Sequence, residues 1–235
     1  MSFATFWIED TFPPIAPLPG FAASLALDLH ELAEINHLSH AEVINRRNNG
    51  HRPYVARIDG QPVAYGWLAT NKVSIGELDI NVELPPDDRY LWDFATLSDW
   101  QGRGLYPRLL QSILEQEIQS AKRFWIIHAP ENLPSGAGMS KAGFEFVGQL
   151  SFTLDGKVGL APYSDSAERA RIGANLLQVP IIESILAPCW NCGGMVAKYP
   201  DKADADSCWP PKISNESACC CVKEVKKSNN VISIV

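Results

Sequence analysis

The sequence predicts an α/β fold of α+β character, a mixed sheet with helices on both faces, followed by a Cys-rich C-terminal extension. Three observations predict it. Strand-like and helix-like segments alternate through the middle of the chain, the segment after them closes as an antiparallel hairpin, and all six cysteines stand in the last fifth, from Cys189 onward.

In chain order, the first twenty residues, with four prolines, read as an irregular or short-strand lead-in. "LALDLHELAEINHL" has helical spacing. "SHAEVINRRNNG" reads as a second helix, with Ser39 as N-cap, Glu42 completing a capping box and Gly50 at the exit. "PYVARI", the turn "DGQP" and "VAYGWLAT" form a hairpin. "SIGELDINVEL" is another strand or a long excursion, ended by the breaker "PPDD". "YLWDFATL" reads as a strand, and from Pro107 the residues Leu109, Leu110, Ile113, Leu114, Ile118 and Ala121 recur at the spacing of a helix with one buried side. "RFWIIHA" is a short buried strand, "NLPSGAGMSKAG" a weak helix, and "FEFVGQLSFTLDGKVGLAP" a closing hairpin turning at Asp155 and Gly156. A composition change after Pro162 sets a boundary near Ser164. Residues 1–164 form one domain and 165–235 the extension, with one further helix at "SAERARIGANLLQV".

Composition narrows the function classes. The chain has 235 residues, 46% of them hydrophobic, enough for a real core. Its net charge is −7 and its basic residues are scattered, with "NRRNNGHR" and "KEVKK" the only small clusters, which argues against a nucleic-acid partner. No apolar run approaches membrane-spanning length, and the start lacks the basic and long apolar regions of a signal peptide. A cytoplasmic protein with no membrane partner is expected.

The stretch "DWQGRGLYPRLL" carries the first functional signal. Two glycines sit where a strand turns into a helix, and the first amides of a helix lack intrahelical acceptors and carry the positive end of its dipole. Glycine lets that backbone approach a ligand closely, so the turn suits a phosphate or pyrophosphate as well as it suits an ordinary strand-to-helix turn. Neither G-x-x-x-x-G-K-[ST] nor G-x-G-x-x-G is present, which sets aside nucleoside-triphosphate loops and dinucleotide fingerprints.

Gln101, Gly102, Arg103, Gly104, Leu105 and Tyr106 resemble the phosphate motif of the GCN5-related N-acetyltransferase (GNAT) superfamily, with tyrosine in place of the motif's last small residue. A second family pattern is matched by Asn132, Ser135, Met139, Gly143 and Phe144, and the order of elements agrees from about residue 22 to about 160. The resemblance implies a GNAT-like acyl-CoA N-acyltransferase fold. It further implies that amides from Gly102 to Tyr106 cradle the pyrophosphate of acetyl-coenzyme A, that pantetheine pairs with backbone near Ala95, Thr96 and Leu97, and that Gln101, Asn132 and Ser135 also belong to the cofactor site. The motif strand and "RFWIIHA" would splay apart, and the thioester would enter the gap.

Acetyl transfer to an amine needs a free lone pair, stabilisation of the developing oxyanion and a proton for the leaving thiolate. A backbone amide near Thr96 or Leu97 is expected to meet the oxyanion. Asp93 and His128 are the candidate bases, with Glu77 and Asp79 further possibilities. Many relatives carry a tyrosine acid where this chain has Met139, and a thioether cannot donate a proton. Tyr106, Ser140 or solvent stands in for it. Each of these carboxylates and the histidine also has a purely structural reading, as ion-pair partner, wall residue or solvated strand face.

In the extension, Cys189-x-x-Cys192 followed by Gly193-Gly194 is half of a zinc knuckle, to be completed by two among Cys208, Cys219 and Cys221. A metal-free tail and a redox or iron-sulfur role are the other readings. The sequence thus points to an acetyl-CoA-dependent N-acetyltransferase acting on a primary amine of a small molecule or an exposed amino group. The alternatives are a non-catalytic acyl-CoA-binding or regulatory module, and a transferase domain carrying a protein-interaction tail.

Overall fold

The computed structural model describes residues 1–129, 131–153 and 157–183, together with the backbone of two short strands further on. The elements are β1 (Ser2–Trp7), β2 (Phe21–Leu25), α1 (Leu29–Ile35), α2 (His40–Asn48), β3 (His51–Ile58), β4 (Gln61–Ala69), β5 (Lys72–Ile75), β6 (Ile80–Glu83) and β7 (Asp88–Thr96). There follow α3 (Leu105–Glu117), β8 (Arg123–His128), α4 (Leu133–Ala142), β9 (Glu145–Phe152), β10 (Val158–Pro162), α5 (Ala167–Leu177), β11 (Ala187–Pro188) and β12 (Met195–Val196). The turn expected at Asp155 and Gly156 and every cysteine lie outside the described residues.

Local chemistry sets the boundaries. The Asp28 carboxylate accepts from the amides of His30 and Glu31 at the start of α1, and Ser39 Oγ accepts from the Glu42 amide at the start of α2. Asp59 and Gly60 both take positive φ, 49° and 85°, as a tight hairpin turn between β3 and β4 demands.

Eight strands form one sheet in the order β10-β9-β1-β8-β7-β4-β3-β2, and only the β7–β8 pair is parallel. Successive residues alternate between its faces. Ala4, Phe6, Leu91, Phe124 and Ile126 meet α3 and α4 through Leu109, Leu110, Ile113, Met139 and Ala142. On the opposite face Val55, Tyr65 and Trp67 meet α1 and α2 through Leu32 and Val43. Farther along that face, Phe3, Trp125 and Leu160 meet Ala170, Ala174 and Leu177 of α5. The expected mixed sheet with helices on both faces is therefore found.

Three segments differ from the sequence expectation. "LALDLHELAEINHL" is helical only from Leu29, and its first residue ends β2, a strand the spacing does not announce. "SFATFW" is no lead-in: β1 lies between β8 and β9 and pairs antiparallel with both, Ser2 opposite His128 on one side and opposite Gln149 on the other. The prolines that made this region look irregular begin only after the strand has ended. The excursion after β4 is a small hairpin of its own, β5 with β6, outside the main sheet.

Candidate active site

Strands β7 and β8 pair from Asp88↔Arg123 to Leu91↔Ile126 and no further, although β7 runs on to Thr96 and β8 to His128. The expected splay is present and leaves one edge of β7 without a strand partner among the described residues from Trp92 onward. Beside that edge opens a cleft of about 680 Å³, walled by Phe94, Ala95 and Thr96 of β7, the glycine turn, the start of α3 and the exposed side of α4.

A bulge lies at the point of divergence. Tyr65 pairs with Ala95 and Trp67 with Trp92, so Gly66 alone opposes both Asp93 and Phe94. Asp93 takes a φ of 49°, and the Phe94 ring lies where a side chain on residue 66 would be, 2.0 Å from the position of a Cβ. Leu97 donates its amide to Val63 O at 2.9 Å. By the alternation of an antiparallel ladder, the Thr96 amide then points to the open edge, and Gln101 Nε2 donates to the Thr96 carbonyl at 3.1 Å.

At the turn, Gly102 and Gly104 adopt left-handed φ of 75° and 69°, and Gly104 caps α3 without any side-chain bond to the first amides. Among the described residues those amides have no side-chain acceptor, which is the arrangement that can hold an anion. Three cations border the turn. Arg108 donates to Gly104 O and to Ala16 O, each at 2.6 Å, Arg103 lies over the Trp100 ring at 4.6 Å, and Lys141 lines the cleft from α4. None of the three is ion-paired with a carboxylate among the described residues.

Tyr106, the residue that breaks the phosphate motif, is accommodated from the other side of the cleft. Its ring packs against Gly138, where an added Cβ would come within 2.4 Å of it, and meets Phe94 edge-on at 5.5 Å. The Ser135 hydroxyl donates to Tyr106 Oη at 3.4 Å, and burial pushes the phenol up to about 12 despite that bond. Asn132 serves as N-cap of α4, its Oδ1 accepting from the Ser135 amide at 3.1 Å. Met139 is wholly buried in the core beneath the cleft, its sulfur 3.9 Å from Ser135 Oγ. Met139→Leu, a swap of similar volume, is expected to change unfolding free energy by less than about 1.5 kcal/mol, read by chemical denaturation.

Of the sequence-predicted cofactor residues, Ala95, Thr96, Gln101, Gly102, Gly104, Leu105, Tyr106, Asn132 and Ser135 come together in the cleft wall. Leu97 and Arg103 stand outside it. The candidate bases are dispersed. Asp93 is ion-paired with Arg46 on the α1–α2 face, and Glu77 and Asp79 are exposed on the connection from β5 to β6. His128 sits behind the first turn of α4, its ring edge 3.0 Å from where a Cβ on Gly136 would lie. Its Nδ1 faces Ala129 O at 2.8 Å and must donate there, because a carbonyl only accepts. The neutral ring then carries its lone pair on Nε2. Burial lowers the His128 pKa below the usual 6.5, although the Ala129 bond opposes it.

Trp100, Lys141 and Gly138 also line the cleft and escaped the sequence reading. The run "SGAG" was the available signal for Gly138, since small residues on one helix face leave room for a neighbour. Nothing local marked Trp100 or Lys141.

The profile of the acetyltransferase (GNAT) family matches residues 20–144. No curated protein matches the sequence. Among solved structures, a GCN5-related N-acetyltransferase from Kribbella flavida is similar at 16% identity, over 62% of this chain and 53% of that one, with a TM-score of 0.43. The aminoglycoside acetyltransferase AAC(6')-Ib in complex with coenzyme A and kanamycin is 20% identical over 64% of this chain and 99% of that one, TM-score 0.43. The ribosomal-protein-S18-alanine N-acetyltransferase from Escherichia coli is 16% identical over 59% of this chain and 88% of that one, TM-score 0.43. The chain thus spans about half the length of the Kribbella protein. With a glycine turn at the head of α3, a splayed β7–β8 pair and a profile match covering more than half of its 235 residues, the chain belongs to the acetyltransferase (GNAT) family.

Proposed function

We propose that the protein transfers an acetyl group from acetyl-coenzyme A directly to a primary amine. The observation that carries this reading is the juxtaposition in one cleft of an open strand edge, a helix start whose amides have no side-chain cap among the described residues, and a phenol. The residues fit the donor. Among the described residues Gly102 has no neighbouring atom within 4 Å of its would-be Cβ, leaving a cradle of backbone amides for a pyrophosphate, with Arg103, Arg108 and Lys141 around it. Ala95 and Thr96 supply the strand edge for an amide-bearing arm. Bound there, acetyl-coenzyme A brings an activated thioester.

The chain's own residues supply the rest. The Thr96 amide, turned to the open edge, donates to the oxygen on which charge develops. His128 Nε2 takes the amine proton through a water, and the Tyr106 hydroxyl gives a proton to the departing sulfur. The raised phenol pKa keeps that proton in place through the alkaline range, and the lowered imidazole pKa leaves the base unprotonated at neutral pH.

The test is a pH profile of kcat with a panel of amines. The rate is expected to rise as His128 loses its proton below pH 6.5 and to show no loss up to about pH 10, where an unperturbed tyrosine acid would ionise. His128→Gln is expected to lower kcat about 100-fold and to abolish the acid limb, whereas Tyr106→Phe lowers kcat without moving that limb. A His128→Gln enzyme with the parental acid limb overturns the assignment. Binding of acetyl-coenzyme A with no turnover of any amine favours the acyl-CoA-binding module instead.

A further inference from the structure

We infer that Arg46 is a positioning residue for the cleft, and that its partner Asp93 is there to hold the β7 bulge rather than to take a proton. The inference rests on the acetyl-transfer reading and deepens it.

A strand alternates its side chains, so a regular β7 would place Leu91, Asp93 and Ala95 on one face and Trp92, Phe94 and Thr96 on the other. The structure shows a different assignment. Leu91 and Phe94 face α3 and α4, whereas Trp92 and Ala95 pack on the α1–α2 face, where Asp93 meets Asn36 and Arg46. The bulge at Asp93 makes the switch. It sits two residues past the last β7–β8 pair, so it re-aims the strand where the cleft begins. Without it the Asp93 carboxylate would face the cleft side and Phe94 would not.

Left-handed backbone is unfavourable for any residue but glycine, and it persists where surroundings over-determine it. Here they do. Arg46 Nη1 ion-pairs with the Asp93 carboxylate, and Asn36 Nδ2 donates to it at 3.4 Å. The guanidinium is fixed in turn. It lies over Trp67 at 5.1 Å and Trp92 at 4.5 Å, its Nε bonds Glu42 at 3.1 Å, and its side chain is 15% exposed. Asn36 Oδ1 accepts from Trp67 Nε1 at 2.6 Å, which orients its amide toward Asp93. The cage therefore ties α2 to the bulge and presents the Asp93 carboxylate to Arg46 and Asn36, away from the cleft.

Glycine separates the two roles of Asp93, because it takes positive φ without strain and carries no carboxylate. The full chain is compared with Asp93→Gly, Asp93→Ala, Arg46→Gln and the Arg46→Gln, Asp93→Gly double variant. Turnover with an amine, acetyl-coenzyme A affinity by calorimetry and amide hydrogen exchange at residues 94–97 are measured. Asp93→Ala and Arg46→Gln are each expected to lower kcat/KM for acetyl-coenzyme A by about tenfold or more, the scale of a residue forced to hold left-handed backbone unaided. Exchange at residues 94–97 should accelerate in both. Asp93→Gly is expected to stay within about threefold of the parent, and Arg46→Gln to cost less than about twofold in that background. Asp93→Gly as inactive as Asp93→Ala overturns the inference and returns Asp93 to the role of base, as does an equal Arg46→Gln effect in both backgrounds. If the parent turns over no amine, the transferase reading fails by itself. The affinity and exchange series still decide the role of Arg46.

Discussion

Gly102→Asp is expected to weaken acetyl-coenzyme A binding about 100-fold more than Gly102→Asn does. The two replacements have nearly the same shape, both tolerate left-handed backbone better than other side chains, and both enter space in which no neighbouring atom of the described residues lies within 4 Å of the Cβ position. They differ by one negative charge. Two unit charges about 5 Å apart at an effective dielectric near 20 repel by roughly 3 kcal/mol, and every 1.4 kcal/mol is tenfold in affinity. Gly104 is a poorer probe. A Cβ there would fall 2.7 Å from Arg108 Nη1, so any substitution also dislodges the cation that bridges Gly104 O and Ala16 O. Calorimetric titration of the two Gly102 variants is the measurement, and equal affinities would remove the pyrophosphate from this turn.

The second large effect is on stability, at the opposite end of α3. Glu117, 2% exposed, takes both Arg52 Nη1 contacts at 2.8 Å and the Tyr54 hydroxyl at 2.5 Å, with Arg89 Nε at 3.6 Å. It pins the last turn of α3 to β3 and β7. Glu117→Ala is expected to cost about 3–5 kcal/mol, because it leaves a buried Arg89 without its carboxylate. Burial alone would raise the carboxyl pKa, but bonds from Tyr54 and Arg52 and the charges of Arg52 and Arg89 outweigh it and hold it below the ordinary 4.5. A depressed folded-state pKa gives stability that is complete above the unfolded value and is lost as pH falls through the folded one. Denaturation at a series of pH values should therefore show the parent losing stability below pH 4.5 more steeply than Glu117→Ala does. A variant within 1 kcal/mol of the parent at pH 7 contradicts the expectation, since a buried pair broken on one side costs about three times that.

Much of the fold was legible because its signals are local. The Ser39 cap, the Asp59-Gly60 turn and the two glycines before α3 each settle their own few residues and the structure returns all three, although the Glu42 carboxylate bonds Arg46 and Asn45 instead of closing the capping box. What failed to show was pairing at a distance and breaks in period. "SFATFW" reads as a short strand, but no local feature says that its neighbours lie beyond residue 120. Alternation along "YLWDFATL" misassigns the face of Asp93, because the bulge opposite Gly66 shifts the period by one. The Tyr106 departure is matched by Gly138, thirty-two residues later and on another helix, so only the packed structure shows that the two belong together. The zinc reading of Cys189, Cys192, Cys208, Cys219 and Cys221 concerns residues outside those described.

The place of β1 also sets an order of events during synthesis. The Thr5 hydroxyl donates to Phe124 O across a span of 119 residues, and the same strand needs β9 on its other edge. While the ribosome is still making α3, Phe3 and Phe6 have neither neighbour, and both strand edges around them are bare. Contacts this remote in sequence are slow to close and expose apolar strands while they wait. The half-made chain can assemble β2, β3, β4 and β7 with their helices, but β1 takes its place only when β9 emerges and the strand slides between β9 and β8, after which β10 is added at the edge.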